Sequence, residues 1–193
     1  MEKQQQGLFD AVLLNTEPGQ QGRPIQKEQG ALDDNSDVPV LRRAAMDVLA
    51  RREHSCFELR QKLLQKFPDT DPQLIDLVLK QLQAEGLQSD ARFVESYVRY
   101  RKSRGFGYLH INSELSERRV SGGLIEQHLF VDDEDWLTIA EDLVARKLSP
   151  DQHLQFASKE HRRVMRFLES RGFSSGLIRR VLQPRLSKAE TQF

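Results

Sequence analysis

Two stretches of the chain decide its fold: INSELSERRVSGGLIEQHL at residues 111–129 and VMRFLESRGFSSGLIRRVL at residues 164–182. The second stretch lies 53 residues after the first, and the two align without a gap. Apolar residues occupy the same six positions of both, which are Ile111, Leu115, Val120, Leu124, Ile125 and Leu129 in the first and Val164, Leu168, Phe173, Leu177, Ile178 and Leu182 in the second.

A third copy of the pattern precedes these two and fits with a two-residue insertion. Its Leu59 and Leu63 lie 52 residues before Ile111 and Leu115. Its Leu74, Ile75 and Leu79 lie 50 residues before Leu124, Ile125 and Leu129. A repeat of this length indicates a small supersecondary unit whose neighbouring copies bury each other's apolar faces. We therefore expect an elongated array with an extended binding surface in preference to a single catalytic pocket.

Helical periodicity and capping residues predict an all-α fold. Ser55 with Glu58 forms a capping box, and Asp71-Pro72 is an N-cap followed by a proline at the first helical position. No stretch alternates with period two for long enough to indicate a strand. The two shortest helices are predicted at residues 124–130 and 177–183. We expect three tandem three-helix, helix-turn-helix-like repeats, at residues 38–88, 89–131 and 132–186, with a C-terminal tail at 187–193.

The formal net charge of zero conceals an uneven distribution of charge. Residues 1–40 contain seven acidic and three basic residues, so residues 41–193 carry the opposite balance. The single cysteine excludes a disulfide framework and a multi-cysteine metal site. No apolar run approaches the roughly 20 residues of a membrane span, and the N-terminus lacks the pattern of a secretory signal. These features predict a cytoplasmic protein that does not associate with membranes.

The N-terminal segment is predicted to be a disordered tail. Residues 1–37 are rich in Gln, Gly, Pro, Asp and Asn, which bury too little apolar surface to offset the entropy lost on ordering. Gln5, Leu8 and Phe9 fit the loose Gln-x-x-Leu-Phe pattern of bacterial sliding-clamp ligands. A chance hydrophobic cluster is the alternative interpretation of these three residues.

Four segments of the chain carry a family resemblance. They are ELRQKL at residues 58–63, DARF at 90–93, RGFG at 104–107, and RFL at 166–168 together with RGFS at 171–174. These segments resemble the bacterial regulatory protein RecX, the modulator of the RecA recombinase. The resemblance extends over about residues 41–183, in order and with similar spacing.

The resemblance implies tandem three-helix repeats in a curved, elongated molecule. It also implies that the protein binds in the groove of the filament of RecA on single-stranded DNA, blocks filament extension, and depresses ATP hydrolysis and strand exchange. Two features depart from the family. Phe106 stands where a tyrosine is usual, and the N-terminus is longer than is general, so the resemblance implies nothing for residues 1–37.

Two groups of basic residues are the candidate contacts to RecA or DNA. Cations interleaved with aromatic side chains hold phosphates and stack on bases, and arginine favours planar contacts with phosphate or carboxylate. A solvated helix face is the alternative at each position. The candidates are Arg99, Arg101, Lys102, Arg104, Arg118 and Arg119 in the second repeat and Arg162, Arg163, Arg166, Arg179 and Arg180 in the third.

The remaining motifs predict no catalytic, cofactor or metal site. Gly105 and Gly107 lack the Lys-Ser/Thr of a phosphate loop, so they predict a helix end and a tight turn. His54, Cys56 and Glu58 lie close in sequence, but no second ligand pair accompanies them. The family resemblance implies that the protein binds RecA filaments and single-stranded DNA, and we expect a monomer. A helix-turn-helix protein that binds double-stranded DNA and a helical scaffold for another protein remain the alternatives.

Overall fold

The computed structural model describes residues 37–149 and 151–187, which form helices and contain no strand. The predicted tail and the Gln5, Leu8 and Phe9 motif lie outside these residues, except that Asp37 begins the first helix. The helices are α1 (Asp37–Leu49), α2 (Cys56–Lys66), α3 (Pro72–Ala84), α4 (Asp90–Ser103), α5 (Tyr108–Glu117), α6 (Gly122–His128), α7 (Asp135–Lys147), α8 (Lys159–Ser170) and α9 (Ser175–Leu182), followed by a 3-10 turn at Gln183–Arg185. The prediction of an all-α fold made of tandem three-helix units is confirmed.

We call α1–α3, α4–α6 and α7–α9 units one, two and three. None of the helices in the described residues combines the length and apolar character needed to cross a membrane.

Serine side chains define where several of these helices begin. Ser55 Oγ accepts a hydrogen bond from the backbone N–H of Glu58 at 3.1 Å, which confirms Ser55 as the N-cap, whereas the Glu58 carboxylate pairs with Arg52 and Arg118. Ser121 and Ser174 cap α6 and α9 in the same way. Because an N-cap serine fixes the first helical turn, both short helices begin two residues earlier than predicted.

The repeated apolar positions form two separate cores. In unit one, α1, α2 and α3 pack around a core of their own that contains Leu59, Leu63 and Ile75. Units two and three share a single core, in which Ile111 and Leu168 are completely buried. The sequence repeat therefore marks the residues that hold each unit together, as the hydrophobic pattern predicts.

Units two and three meet through backbone contacts at two glycine turns. The N–H of Gly107 donates to the carbonyl of Arg171 at 2.7 Å, and the N–H of Leu109 donates to that of Gly172 at 3.0 Å. A Cβ atom on Gly172 would lie 2.3 Å from the backbone nitrogen of His110. Gly105 adopts a φ of +75° where α4 ends. Gly105 serves the predicted helix end, and the close backbone approach at Gly107 and Gly172 is a feature that the sequence did not predict.

Units one and two meet through polar contacts. The backbone N–H of Cys56 donates to Asp90 Oδ1 at 2.7 Å, and the amide of Gln88 donates to the carbonyl of His54 at 3.1 Å. Arg118 reaches Glu58 Oε1 at 3.0 Å. His54, Cys56 and Glu58 are thus structural residues of this joint.

We predict that Gly172→Ala lowers the free energy of unfolding of the joined units two and three by about 2–5 kcal/mol. The φ of +86° at Gly172 disfavours a side chain, and the new methyl group would meet rigid backbone. Gly123→Ala is the control, because a Cβ at Gly123 meets nothing within 4 Å. Urea denaturation measures both variants. Equal stability of the two variants would contradict the close approach.

Candidate recognition surfaces

The predicted basic residues fall into two classes by what their side chains contact. Three of them form ion pairs with carboxylates on other helices or loops, namely Arg101, Lys102 and Arg118. The others have exposed side chains, namely Arg99, Arg104, Arg119, Arg162, Arg163, Arg166, Arg179 and Arg180.

Arg101 is part of the interior of unit two. Its Nε donates to Glu114 Oε2 at 2.6 Å, and its guanidinium lies 4.5 Å from the centre of the Phe106 ring. Only 20% of its side chain is exposed. Since Phe106 also contacts Arg171 of unit three at 4.8 Å, this phenylalanine lies between the two units. Arg101 therefore connects α4 to α5 and supports the joint between units two and three.

Lys102 and Arg118 make similar connections. Lys102 pairs with Asp133 and, at 3.0 Å, with Asp135 at the start of α7. Burial alone would lower the pKa of Lys102, but its hydrogen bonds to the two carboxylates raise it. Arg118 joins units two and one through Glu58 and lies 4.8 Å above the Tyr97 ring. Charge reversal at Arg101 or Lys102 would therefore break an internal ion pair and destabilise the fold, so it would not test binding specifically.

The acidic residue Asp133, just before α7, has two roles. Asp133 Oδ1 accepts the backbone N–H of Asp135 at 2.9 Å, which supports the first turn of α7. Its other oxygen pairs with Lys102. Burial alone would raise the pKa of Asp133, but the hydrogen bond from Lys102 lowers it. Asp133 is thus a helix-start residue and an internal counter-charge at once.

His110 lies beside Arg101 and Arg171 and has a lowered pKa. Its ring stacks on Phe106 with centroids 4.5 Å apart. Burial, followed by the charges of Arg101 and Arg171, lowers the pKa of His110. Burial also lowers the pKa of His54 in the joint between units one and two. Both joints therefore contain a histidine that is easier to protonate in the unfolded chain.

The exposed arginines are concentrated on unit three. Arg162, Arg163 and Arg166 on α8 form no ion pair with any other residue in the described part of the chain. On α9, Arg179 makes one contact of 3.4 Å to the carbonyl of Ser175, and Arg180 is exposed. These side chains are available to an anionic partner.

An apolar groove runs between α8 and α9, next to two of these arginines. Its volume is about 540 Å³; Met165 and Ile178 contribute to its floor, and Arg162 and Arg179 also line it. Phe156, also in the lining, is 76% exposed. We refer to Arg162, Arg163, Arg166, Arg179 and Phe156 as the arginine face.

Sequence reasoning missed Phe156. It lies in the loop before α8, where no helical periodicity indicates the direction of a side chain. Its neighbour Ala157 has a φ of +58°, an uncommon backbone conformation for alanine, and the Phe156 ring lies 5.5 Å from that of His161. An aromatic residue in a polar loop was the only signal in the sequence.

The arginine face combines groups that bind anions with groups that bind rings. Guanidinium groups make planar, bidentate contacts with phosphate or carboxylate. An exposed aromatic ring stacks on a nucleobase or packs on an apolar side chain. The face therefore fits an anionic partner that also presents an apolar or aromatic group.

Comparison with known proteins gives consistent matches along the chain. Residues 42–82 match the family model described as "RecX, first three-helix domain", residues 89–129 match "RecX, second three-helix domain", and residues 133–182 match "RecX, third three-helix domain".

Curated relatives and solved structures agree with these matches. The chain is 42% identical over 151 residues to the "Regulatory protein RecX" of Pseudomonas entomophila (strain L48), covering 77% of this chain and 94% of the relative. It is 41% identical over 146 residues to that of Pseudomonas fluorescens, covering 76% and 92%. The crystal structure of RecX from Lactobacillus salivarius superposes with a TM-score of 0.63 at 21% identity, covering 78% of this chain and 97% of that one. At that identity the superposition shows a shared fold.

We predict that Arg101→Gln lowers the free energy of unfolding by about 1–4 kcal/mol, because it leaves the Glu114 carboxylate, 14% exposed, without its cation. The matched control is Arg104→Gln, which alters an exposed arginine three residues away and is expected to change stability by less than about 0.5 kcal/mol. Thermal or urea unfolding compares the two. Equal losses would show that Arg101 is not a structural tie.

We also predict that stability falls as the pH is lowered through about 6.5, the ordinary pKa of histidine. The unfolded chain binds protons there that His54 and His110 resist binding in the fold, so unfolding takes up protons and is favoured as the pH falls. The stabilisation is present above this pH and is lost below it.

Urea denaturation at pH values between about 8 and 5.5 measures this dependence. His110→Gln is expected to flatten the curve. The carboxylates with lowered pKa titrate at more acidic pH and do not contribute in this window; they are Asp76, Glu85 and Asp133. A curve that is flat for the unaltered protein would contradict the prediction.

Proposed function

Because the chain belongs to the RecX family of regulatory proteins, we propose that it is a negative modulator of the RecA recombinase. It binds the filament that RecA forms on single-stranded DNA and inhibits filament extension, ATP hydrolysis and strand exchange. Family membership supports the partner. The observation that carries the proposal for the contact site is the arginine face, whose cations have no counter-charge within the described part of the chain.

The arginine face suits a nucleoprotein filament for electrostatic reasons. Such a filament presents DNA phosphates and carboxylates of the protein, and both attract guanidinium groups. Contacts to phosphates release counterions, so binding through this face weakens as salt is raised. The groove beside Arg162 and Arg179 adds apolar area that is independent of salt.

The exposed arginines of unit two extend the proposed contact. Arg99, Arg104 and Arg119 lie at the surface; Arg99 pairs with Glu95 on the same helix at 2.6 Å, and the guanidinium of Arg119 is 5.3 Å from the Phe57 ring of unit one. Basic groups on separate units can reach neighbouring RecA protomers, and every added contact raises the avidity for a filament over a single protomer. Occupying a filament in this way inhibits it without any chemical step by the protein.

Binding to duplex DNA is a second candidate function, and one observation favours it. The third helix of unit three, α9, exposes Arg179 and Arg180, as the recognition helix of a helix-turn-helix protein would expose side chains that read bases. A helical scaffold for another protein is the third candidate. It predicts no dependence on RecA or DNA.

The decisive measurement is RecA-catalysed ATP hydrolysis on single-stranded DNA with this protein titrated in. We predict inhibition at stoichiometric or lower ratios. The variant Arg162→Glu/Arg166→Glu/Arg179→Glu is expected to need about tenfold more protein for half-inhibition. The salt dependence of its binding should flatten by about one unit of slope for every phosphate that the variant no longer neutralises.

The matched control reverses three exposed cations of unit one: Arg43→Glu, Arg51→Glu and Lys62→Glu. We expect it to inhibit as the unaltered protein does. Absence of inhibition by the unaltered protein would refute the proposed function. Sequence-specific protection of duplex DNA in the absence of RecA would favour the second candidate instead, and dependence on neither would favour the third.

A further inference from the structure

Three exposed apolar side chains lie close together near the joint between units two and three. Leu109 is 53% exposed, Phe130 56% and Val131 61%. They line two adjoining cavities, of about 750 Å³ and 550 Å³, which share Tyr108 and Val131 as wall residues. A contiguous exposed apolar area of this kind commonly marks an interaction site.

Carboxylates surround this apolar area. Glu126, Asp132 and Glu134 line the cavities, are exposed, and form no ion pair with another described residue. Asp133 differs from them, because Lys102 already neutralises it. Among the described residues that line either cavity, Arg180 is the one basic side chain, on the wall formed by unit three. We call Leu109, Phe130, Val131, Glu126, Asp132 and Glu134 the acidic apolar face.

The charge of this face determines the kind of partner it fits. Three unpaired carboxylates repel the phosphates of DNA, so the face is unsuited to nucleic acid. They attract lysine and arginine, and the exposed apolar side chains between them fit an apolar group. The complementary partner is a protein segment that presents an apolar side chain flanked by basic residues.

We propose that the acidic apolar face docks on the protein component of the filament, at such a basic and apolar segment. This inference rests on the proposed function and assigns the two faces different targets. The arginine face contacts anionic groups, including DNA, and the acidic apolar face contacts protein alone. In such an interface, desolvated apolar anchors supply most of the affinity, and the acidic rim orients the partner.

Contacts within the fold hold this face in position. The backbone carbonyl of Phe130 accepts a hydrogen bond from the Trp136 indole at 2.8 Å. The N–H of Leu109 is bonded to Gly172 across the joint at 3.0 Å, and Asp133, next to Asp132, is bonded to Lys102. A preorganised face loses little conformational entropy on binding, which favours affinity.

The test compares binding to immobilised RecA filaments on single-stranded DNA with binding to the same DNA without RecA. The apolar variant is Phe130→Ser/Val131→Ser, and the acidic variant is Asp132→Asn/Glu134→Gln. We expect each to raise the Kd for the filament about tenfold and to leave the Kd for naked DNA unchanged.

Two controls match these variants in chemistry at other positions. Val40→Ser/Leu77→Ser removes exposed apolar side chains from unit one, and Glu141→Gln/Asp142→Asn removes exposed carboxylates from α7. Neither is expected to change the Kd for the filament. Thermal unfolding of every variant checks that the fold is retained. Because the acidic variant alters only exposed, unpaired carboxylates, it keeps the test valid if the apolar variant is destabilised.

The outcomes separate this inference from the proposed function. If the unaltered protein does not bind filaments, both fail. If it binds filaments and the two variants bind as the controls do, the acidic apolar face is not an interface, and the proposed function stands. Weaker binding of the variants to naked DNA would show that the face contacts DNA, which overturns the inference. Self-association of the free protein that the variants abolish would identify a second copy as the partner and would overturn it as well.

Discussion

The contact between the turns at Gly107 and Gly172 is the constraint on which the joined units two and three depend. Two backbone hydrogen bonds cross it, and a methyl group at Gly172 would meet the backbone of His110. The same contact lets two apolar surfaces merge into one core. It also places the turn between α8 and α9 on the wall of the larger cavity of the acidic apolar face. The close packing of the two glycine turns thereby helps to position the acidic apolar face.

The two joints of the chain differ in their chemistry. Units two and three share a hydrophobic core, whereas unit one has its own core and meets unit two through ion pairs and hydrogen bonds. Salt does not screen shared apolar burial, whereas it weakens partly exposed ion pairs. Arg118 and Lys102 form ion pairs of this kind across the joints, so basic residues in this chain stabilise the fold as well as forming its surface.

Two groups of exposed, unpaired charges of opposite sign lie on different elements of units two and three. Arginines without a counter-charge in the described part of the chain concentrate on α8 and α9, and unpaired carboxylates surround the apolar residues where α6 leads into α7. A partner with both anionic and cationic surfaces can engage both, and a filament of protein on DNA is such a partner. The net charge of zero is an average over the whole sequence, and it conceals these two surfaces with opposite preferences.

The sequence by itself determined the all-α fold, the caps at Ser55 and Asp71, the helix end at Gly105 and the repeated core residues, because these follow from periodicity and from residues a few positions apart. The roles of the charged side chains were decided by the tertiary structure. Glu114, Asp133 and Glu58 lie 13, 31 and 60 residues from the basic residues they pair with, Arg101, Lys102 and Arg118. Phe156 and the acidic apolar face also escaped sequence reasoning, because folding brings their components together from separate loops and helices. No local sequence pattern distinguishes an arginine that forms an internal ion pair from one that remains exposed. The reason is that the carboxylate that pairs with it lies far away in the sequence and comes close only when the chain folds.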